Sequence, residues 1–167
     1  DIVFVPQKPY LVKGTLRDQI IYPHTAKEMH QLGIVDVDLV RLLDVVDPAR
    51  SIIKEWRFDD TRDWFNAFSG GQKQRVAMAR VFYHRPRYAI LDECTSAVSA
   101  DVEGNIYRTC RNLGVTIFTV SHRPNLQQYH DFQLRFDGHG NYSFHTTEEI
   151  NRSKVLALQA DQDHQFS

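Results

Sequence analysis

Short apolar runs alternate with long helical stretches along this chain. Residues 2–5, 88–91 and 115–120 are apolar runs of strand length, and polar side chains follow each of them within two positions. Residues 14–86 have a mostly helical pattern, and residues 88–146 alternate strand, helix, strand, short helix and hairpin. Because such alternation is typical of a parallel sheet covered by helices, the pattern predicts an α/β fold.

Finer features predict where individual elements begin and end. Asp36 or Asp38 is expected to cap a helix that ends near Val46. The polar segment 50–63 is expected to be a loop. Residues 137–141, with the sequence Asp-Gly-His-Gly-Asn, predict a hairpin turn, because glycine beside aspartate or asparagine favours tight turns.

Two segments carry recognisable chemistry. The segment from Ser69 to Gln72, Ser-Gly-Gly-Gln, opens a helix, and such a turn presents backbone N–H groups and the positive end of the helix dipole to an anion. Asp92 and Glu93 end an apolar strand, at the edge where α/β sheets bind ligands. The first segment suits a phosphate and the second a metal ion and a water, so together they predict nucleotide hydrolysis.

Two more polar residues stand near strand ends, Gln7 after the first apolar run and His122 after the last. Taken singly, each candidate has an ordinary structural explanation. Gln7 can be a solvated turn residue, His122 a core histidine, Asp92 a capping residue and Glu93 a surface salt-bridge partner. Their shared placement at strand ends, in one consistent order, favours a function for all four.

The set resembles the later part of an ABC-transporter nucleotide-binding domain. The matching motifs are the Q-loop glutamine Gln7, the signature motif Phe68–Gln72 (usually Leu-Ser-Gly-Gly-Gln), the Walker B strand Tyr88–Glu93, the D-loop region Ser96–Ser99 and the switch histidine His122. The resemblance is closer still to subfamily D, the peroxisomal half-transporters of fatty acyl-CoA esters. That closer match is carried by residues 16–23, 78–86, 91–99, 101–104 and 136–142.

The resemblance implies a fold and a domain organisation. It implies a P-loop NTPase-like parallel sheet without the Walker A strand, an inserted helical subdomain over residues 14–86 and a C-terminal hairpin. Residues 1–146 would form the C-terminal portion of a nucleotide-binding domain, and residues 147–167 a polar, frayed helical tail.

The same resemblance predicts the strand order. Residues 2–5 should pair in parallel with residues 88–91, which should pair in turn with residues 115–120. The Walker A strand of this fold would separate residues 115–120 from residues 132–136. We therefore expect these two strands not to pair with each other.

The resemblance also implies roles for the site residues. Glu93 would polarise the attacking water as a general base, and His122 would contact the γ-phosphate or orient that water. Asp92 would hold Mg²⁺ through water, and Gln7 would touch the metal or its water and report the nucleotide state to the membrane domain. The residues that would contact ATP are Gln7, Ser69, Gly70, Gly71 and Gln72. Lys73 and Arg75 can be phosphate ligands or part of a solvated helix face.

The chain departs from the family in one decisive way, because it contains no Gly-x-x-x-x-Gly-Lys-Ser/Thr sequence, and in one minor way, because Phe68 stands where the signature motif usually has leucine. The Gly-x-x-x-x-Gly-Lys-Ser/Thr loop supplies the lysine that reaches the β- and γ-phosphates and the hydroxyl that binds Mg²⁺. We therefore expect the chain to be a fragment that begins inside the domain and, by itself, to be inactive as an ATPase.

The resemblance implies partners and a location. They are a second nucleotide-binding domain, in a homodimer or heterodimer of half-transporters, and a transmembrane domain, with the nucleotide-binding domain on the cytosolic side of the peroxisomal membrane. The cargo would be long- or very-long-chain fatty acyl-CoA. Two alternatives stay open: a soluble ABC ATPase without membrane coupling, and a non-catalytic interaction fragment.

Charge, the length of the apolar runs and the cysteine content exclude several kinds of partner and site. The formal net charge is −1, which provides no strong electrostatic attraction for nucleic acid, and no nucleic-acid partner is expected. The longest apolar runs have about six residues, whereas a membrane-spanning helix needs ~20. Cys94 and Cys110 are isolated in the sequence, so neither a disulfide framework nor a zinc site is expected. Cys94 is interpreted as a small residue in a tight turn rather than as a nucleophile.

Overall fold

The computed structural model describes residues 1–165, which form two compact units that divide between Ser121 and His122. The first unit contains, in chain order, β1 (Ile2–Val5), α1 (Leu16–Ile21), α2 (Ala26–Gln31), α3 (Asp36–Val46), α4 (Ser51–Glu55), α5 (Trp64–Ala67), α6 (Gly70–His84), β2 (Tyr88–Asp92), α7 (Ala100–Asn112) and β3 (Thr116–Val120). The second unit contains a 3-10 helix (Pro124–Tyr129), β4 (Phe132–Phe136), β5 (Tyr142–Thr146) and α8 (Thr147–Gln165). The last two residues of the predicted tail, 166 and 167, lie outside the described residues.

The strand order agrees with the prediction. β1 pairs in parallel with β2, and β2 pairs in parallel with β3, so the first unit has a three-stranded parallel sheet in the order β1-β2-β3. β4 and β5 form a separate antiparallel hairpin around the predicted turn at residues 137–141. β3 and β4 therefore belong to different sheets, and the predicted α/β fold with a parallel sheet, a helical region and a hairpin is confirmed.

The two faces of the parallel sheet differ in burial. Val5, Ala89 and Leu91 alternate along their strands with the side chains of the opposite face and are buried. The opposite face carries four large apolar side chains that are 57–66% exposed, two on β1 and two on β3, and the pairing register places Ile90 of β2 between Phe4 and Phe118. They are Ile2, Phe4, Phe118 and Val120.

The helical region between β1 and β2 has its own apolar core. α6 packs against α1 and α3, and seven of the eight residues from Val76 to Tyr83 are buried, as is typical of a helix surrounded by the core. The fully buried residues of this core include Leu16, Ile20, Leu39, Leu43, Met78 and Phe82. This core positions the N-terminus of α6, where the Ser-Gly-Gly segment lies.

The predicted cap of α3 is provided by Asp38. Its carboxylate accepts a hydrogen bond from the backbone N–H of Val35 at 3.0 Å, and the helix ends at Val46 as expected. Asp36 instead binds the guanidinium of Arg17, with both oxygens at 2.7 Å.

The prediction of a loop at residues 50–63 is wrong for residues 51–55, because Ser51–Glu55 forms the short helix α4. The buried Asp47 carboxylate accepts hydrogen bonds from the Ser51 hydroxyl and, at 2.8 Å, from the Ile52 N–H. Ile52 is fully buried, so the segment gains apolar burial that its polar composition conceals.

No helix among the described residues combines the length and the apolar character needed to cross a bilayer.

Candidate functional site

The Ser-Gly-Gly-Gln segment begins α6 with a capping box. Ser69 is the N-cap, its Oγ accepts a hydrogen bond from the Gln72 N–H at 3.2 Å, and the Gln72 Oε1 accepts one from the Ser69 N–H at 2.9 Å. Among the described residues, none accepts a hydrogen bond from the N–H of Gly70 or Gly71. These two N–H groups and the helix dipole therefore suit an anion, while the Gln72 side chain is engaged in the cap.

Phe68 anchors the chain just before this turn. It is 3% exposed, stacks on Trp64 with 4.9 Å between ring centroids, and meets Trp56 edge to face at 5.2 Å. The Trp64 Nε1–H donates a hydrogen bond to the Gly14 carbonyl oxygen at 2.8 Å. The aromatic residue that replaces the usual leucine of the signature motif thus fills a packed aromatic cluster.

Asp92 and Glu93 lie at the carboxyl end of β2. Asp92 is half-buried, and no described residue forms a hydrogen bond or ion pair with its carboxylate. Glu93 has a φ of +48°, in the left-handed region that non-glycine residues seldom adopt. Its N–H donates to the Val120 carbonyl oxygen at 3.0 Å, and the Ser121 hydroxyl donates to its Oε2 at 3.4 Å. The strained backbone turns the chain abruptly at the end of the strand, as is common at functional sites.

The remaining predicted residues, Gln7 and His122, follow β1 and β3, the two strands on either side of β2. Gln7 is exposed and lies two residues after β1, the parallel neighbour of β2. The carboxyl ends of parallel neighbours meet at one sheet edge, so Gln7 follows the same edge as Asp92 and Glu93. His122 is exposed and is the first residue of the second unit, two residues after β3.

The structure reveals Gln74, a residue that the sequence did not single out. Its amide is buried between α6 and the loop that follows β2, where it bonds to Ser96 and Ala97. The only signal in the sequence was a polar residue on the apolar face of α6.

Burial determines the reactivity of the two cysteine thiols. Cys94 is 2% exposed, and burial raises the pKa of its thiol to about 12. Burial likewise raises the pKa of Cys110 to about 12. Because the thiolate is the nucleophilic form, neither side chain is suited to attack a substrate at neutral pH. This supports the interpretation of Cys94 as a structural residue.

Lys73 and Arg75 both have contacts within the unit. The Lys73 ammonium lies 4.3 Å from the centroid of the Phe65 ring, a cation–π arrangement. Arg75 binds the buried Asp47 carboxylate at 3.1 Å and the Ser51 hydroxyl at 3.2 Å. Arg75 therefore fastens α6 to the start of α4.

The oxygen donors at the sheet edge fit a magnesium ion only in part. Within the described residues no group of three or more His, Cys, Asp and Glu side chains is arranged to bind a metal. Mg²⁺ usually keeps several waters and takes one or two carboxylates together with substrate phosphates. The carboxylate of Asp92 and the amide of Gln7 are consistent with that mode, which needs the nucleotide to complete the coordination.

A parallel sheet with polar residues along its carboxyl edge, beside a capped Ser-Gly-Gly helix start, defines a P-loop NTPase-like α/β protein. The sequence profile of the ABC transporter family matches residues 1–96, and the chain belongs to that family. Its relatives place it in the D subfamily as part of a nucleotide-binding domain. Membership implies ATP binding.

Three curated relatives illustrate the match. "ABC transporter D family member 2" of Dictyostelium discoideum is 67% identical over 86% of this chain and 19% of its own length. "ATP-binding cassette sub-family D member 3" of Homo sapiens is 52% identical over 86% of this chain and 22% of its own length. The "Lysosomal cobalamin transporter ABCD4" of Mus musculus is 39% identical over 92% of this chain and 25% of its own length. The chain thus spans a quarter or less of the length of each of these relatives.

A solved structure shows the same fold. A bacterial Atm1-family ABC exporter with ATP bound superimposes with a TM-score of 0.71 and 22% sequence identity. The match covers 95% of this chain and 28% of the exporter chain.

Proposed function

We propose that this chain is the later part of the nucleotide-binding domain of a D-subfamily ABC transporter, which hydrolyses ATP to drive transport. The observation that carries the proposal is the placement of Gln7, Asp92 and Glu93 at the carboxyl ends of two neighbouring parallel strands, in a chain whose α6 begins with a capped Ser-Gly-Gly turn. Residues 1–146 belong to the domain in this proposal, and residues 147–167 form a tail that follows it.

The proposed chemistry assigns one task to each candidate residue. Glu93 accepts a proton from the water that attacks the γ-phosphorus, and His122 donates a hydrogen bond to the γ-phosphate or orients that water. Asp92 and Gln7 hold the water shell of Mg²⁺, which neutralises charge on the phosphates when bound. Phosphoryl transfer depends mainly on positioning and charge, so carboxylates held by a strand end suit it.

The proposed partner is a second nucleotide-binding domain, identical or related. The N–H groups of Gly70 and Gly71 and the Ser69 hydroxyl contact the nucleotide held by that partner, and the partner's signature motif does the same in return. Gln72 contributes by keeping the turn capped. A transmembrane domain is the second proposed partner, and Gln7, exposed beyond β1, transmits the nucleotide state to it.

The proposed cargo is a long- or very-long-chain fatty acyl-CoA, with the transporter in the peroxisomal membrane and this domain facing the cytosol. Support comes from the subfamily D stretches of the sequence and from the identity to the D-subfamily relatives. A related transporter is named for cobalamin and for the lysosome, so the subfamily alone does not decide the cargo. Uptake of labelled acyl-CoA and of labelled cobalamin by vesicles containing the full-length transporter separates these two cargoes.

A second candidate function is a non-catalytic interaction module. The specific observation in its favour is the absence of a Gly-x-x-x-x-Gly-Lys-Ser/Thr loop from the sequence. Without that loop the main phosphate ligand of this fold is missing from the chain.

Replacing the proposed base tests the proposal. In the full-length transporter that carries this sequence, we expect Glu93→Gln to lower ATP turnover by about 100-fold or more, because the amide keeps the shape but accepts no proton. ATP should remain bound to the variant. The measurement is phosphate release together with retention of radiolabelled ATP.

Two controls complete this experiment. Glu55→Gln changes an exposed carboxylate at the end of α4 and should keep the wild-type rate. Residues 1–167 alone should show no Glu93-dependent turnover, since the phosphate-loop lysine is absent. A Glu93→Gln rate within about twofold of the wild type would remove Glu93 from the role of general base. Turnover by residues 1–167 alone would contradict the need for the absent loop.

A further inference from the structure

We propose that Gln74 is a positioning residue, which fixes the loop after β2 onto the first turns of α6 and thereby sets the orientation of the Glu93 carboxylate. The loop is defined here as residues 93–97. The inference rests on the proposed function, because it concerns the side chain to which that function assigns the general base. It adds a residue outside the motifs that the resemblance identified.

The contacts of Gln74 span the whole loop. Its Oε1 accepts a hydrogen bond from the Ala97 N–H at 2.8 Å, and its Nε2 donates to the Ser96 Oγ at 3.1 Å and lies 3.5 Å from the Glu93 carbonyl oxygen. The side chain is 5% exposed, so its polar atoms have exchanged water for these partners. One amide therefore connects the first and the last residue of the loop to α6.

The backbone beside Gln74 is shaped for the same contact. Gly71 lies three positions earlier, on the same side of the helix, and a Cβ atom at this position would stand 2.8 Å from the Ala97 carbonyl oxygen. A Cβ atom at Gly70 would meet nothing within 4 Å. The absence of a side chain at position 71 thus lets the loop lie against the helix.

The other side of the loop is fixed to different elements. The Glu93 N–H is bonded to the Val120 carbonyl oxygen of β3 at 3.0 Å. The buried hydroxyl of Thr95 donates to Glu103 of α7 at 2.7 Å. The loop is consequently held from β3, from α7 and, through Gln74, from α6.

The α6 contact matters because Glu93 is held in a sparsely populated conformation. A non-glycine residue with φ near +48° persists only where its surroundings fix it. When the bonds from Gln74 are removed, the loop gains freedom to relax toward commoner backbone angles, and the Glu93 carboxylate moves with it. A displacement of about 1 Å is enough to lower a rate substantially.

The experiment uses Gln74→Met in the full-length transporter, because methionine keeps the length and volume of glutamine and forms neither hydrogen bond. We expect kcat for ATP hydrolysis to fall about 10-fold and KM for ATP to stay within about twofold, since the loop positions the base rather than the bound nucleotide. Gln31→Met, at an exposed position of α2, is the matched control and should keep the wild-type kcat.

A double-variant cycle separates positioning from general damage. If Gln74 acts through Glu93, Gln74→Met should cause no further loss of turnover in a Glu93→Gln background, measured over long single-turnover incubations. A multiplied loss in that background, or an unchanged kcat in the single variant, would overturn the inference. If Glu93→Gln itself keeps its rate, the proposed function fails instead.

A second variant keeps the test valid if Gln74→Met does not fold. Ser96→Ala removes only the bond from the Gln74 Nε2 and leaves the bond from the Ala97 N–H. We expect a smaller fall in kcat, about threefold, again with unchanged KM. An unchanged kcat for Ser96→Ala would then count against the proposal.

Discussion

His84 shows how a single side chain joins two helices of this protein. It lies at the end of α6, and its Nε2 donates hydrogen bonds to the carbonyl oxygens of Tyr22 at 2.7 Å and Ile21 at 3.1 Å. These carbonyl groups end α1 and have no partner within that helix. Burial is the main cause that lowers the pKa of His84, and the charges of His24 and Arg80 act in the same direction, while the two hydrogen bonds oppose it.

The lowered pKa of His84 predicts a pH dependence of stability. Near pH 6 the unfolded chain, with an imidazole pKa of about 6.5, binds more protons than the folded chain, so the free energy of unfolding falls as the pH is lowered. The loss should begin near pH 6.5 and be complete below the pKa of the folded state. His84→Gln keeps a donor for Tyr22 and should flatten the dependence between about pH 7 and 5.

Urea unfolding, followed by tryptophan fluorescence at several pH values, measures this dependence. His139→Gln, an exposed change in the hairpin turn, should keep the slope of the wild type. If the stability curves of the wild type and His84→Gln run parallel through this pH range, His84 is not the titrating group.

At the level of elements, the start of α6 depends on an aromatic cluster contributed by three segments. Trp56 follows α4, Trp64 begins α5, and Phe68 follows α5. Their rings lie 4.9–5.8 Å apart, and all three side chains are almost fully buried. The short helices α4 and α5 have too few internal hydrogen bonds to be stable alone, so this packing maintains them and the turn that follows.

Truncating Phe68 should therefore be costly. We expect Phe68→Ala to lower the free energy of unfolding by about 3–5 kcal/mol, because it leaves a cavity beside the rings of Trp56 and Trp64. Phe68→Leu, the residue usual in the signature motif, should cost less than about 1.5 kcal/mol. Phe65→Ala is the control: Phe65 is 68% exposed and its cation–π contact with Lys73 is worth about 1 kcal/mol or less. Urea unfolding measures all three, and equal losses for Phe68→Ala and Phe65→Ala would contradict the role of the cluster.

At the scale of the whole molecule, the parallel sheet exposes both a face and an edge. The face carries the exposed side chains of Ile2, Phe4, Phe118 and Val120. Within the described residues, β3 pairs with β2 alone, so its other edge has unpaired backbone groups. Exposed apolar patches and open strand edges both favour association, and a net charge of −1 provides little repulsion.

We accordingly expect residues 1–167 to self-associate at micromolar concentration, through the exposed face of the sheet. The double variant Phe4→Ser, Phe118→Ser should shift the population toward monomer, since it removes one large apolar side chain from each outer strand of that face. Phe65→Ser, on an exposed position away from the sheet, should associate like the wild type. Sedimentation velocity over a range of concentrations measures the change, and a monomeric wild type would contradict the prediction.

The local pattern of the sequence was enough to predict the strands and the hairpin, because short apolar runs and turn chemistry are features of near neighbours in the chain. The same holds for the cap by Asp38, which lies three residues from the N–H that it binds. The parallel order of the strands was predicted from the family resemblance. The candidate residues Gln7, Asp92 and Glu93 could also be named in advance, since each follows a recognisable strand.

Only the tertiary structure decided the features that depend on distant partners. α4 forms within a polar segment because Ile52 finds a buried site and Asp47 is held by Arg75, which lies 28 residues away. Gln74 meets Ser96 and Ala97 at separations of 22 and 23 residues. Such a contact cannot be predicted from periodicity or from a motif. A buried amide is stabilised by the hydrogen-bond partners that the fold brings near it, and these partners can lie far away in the sequence.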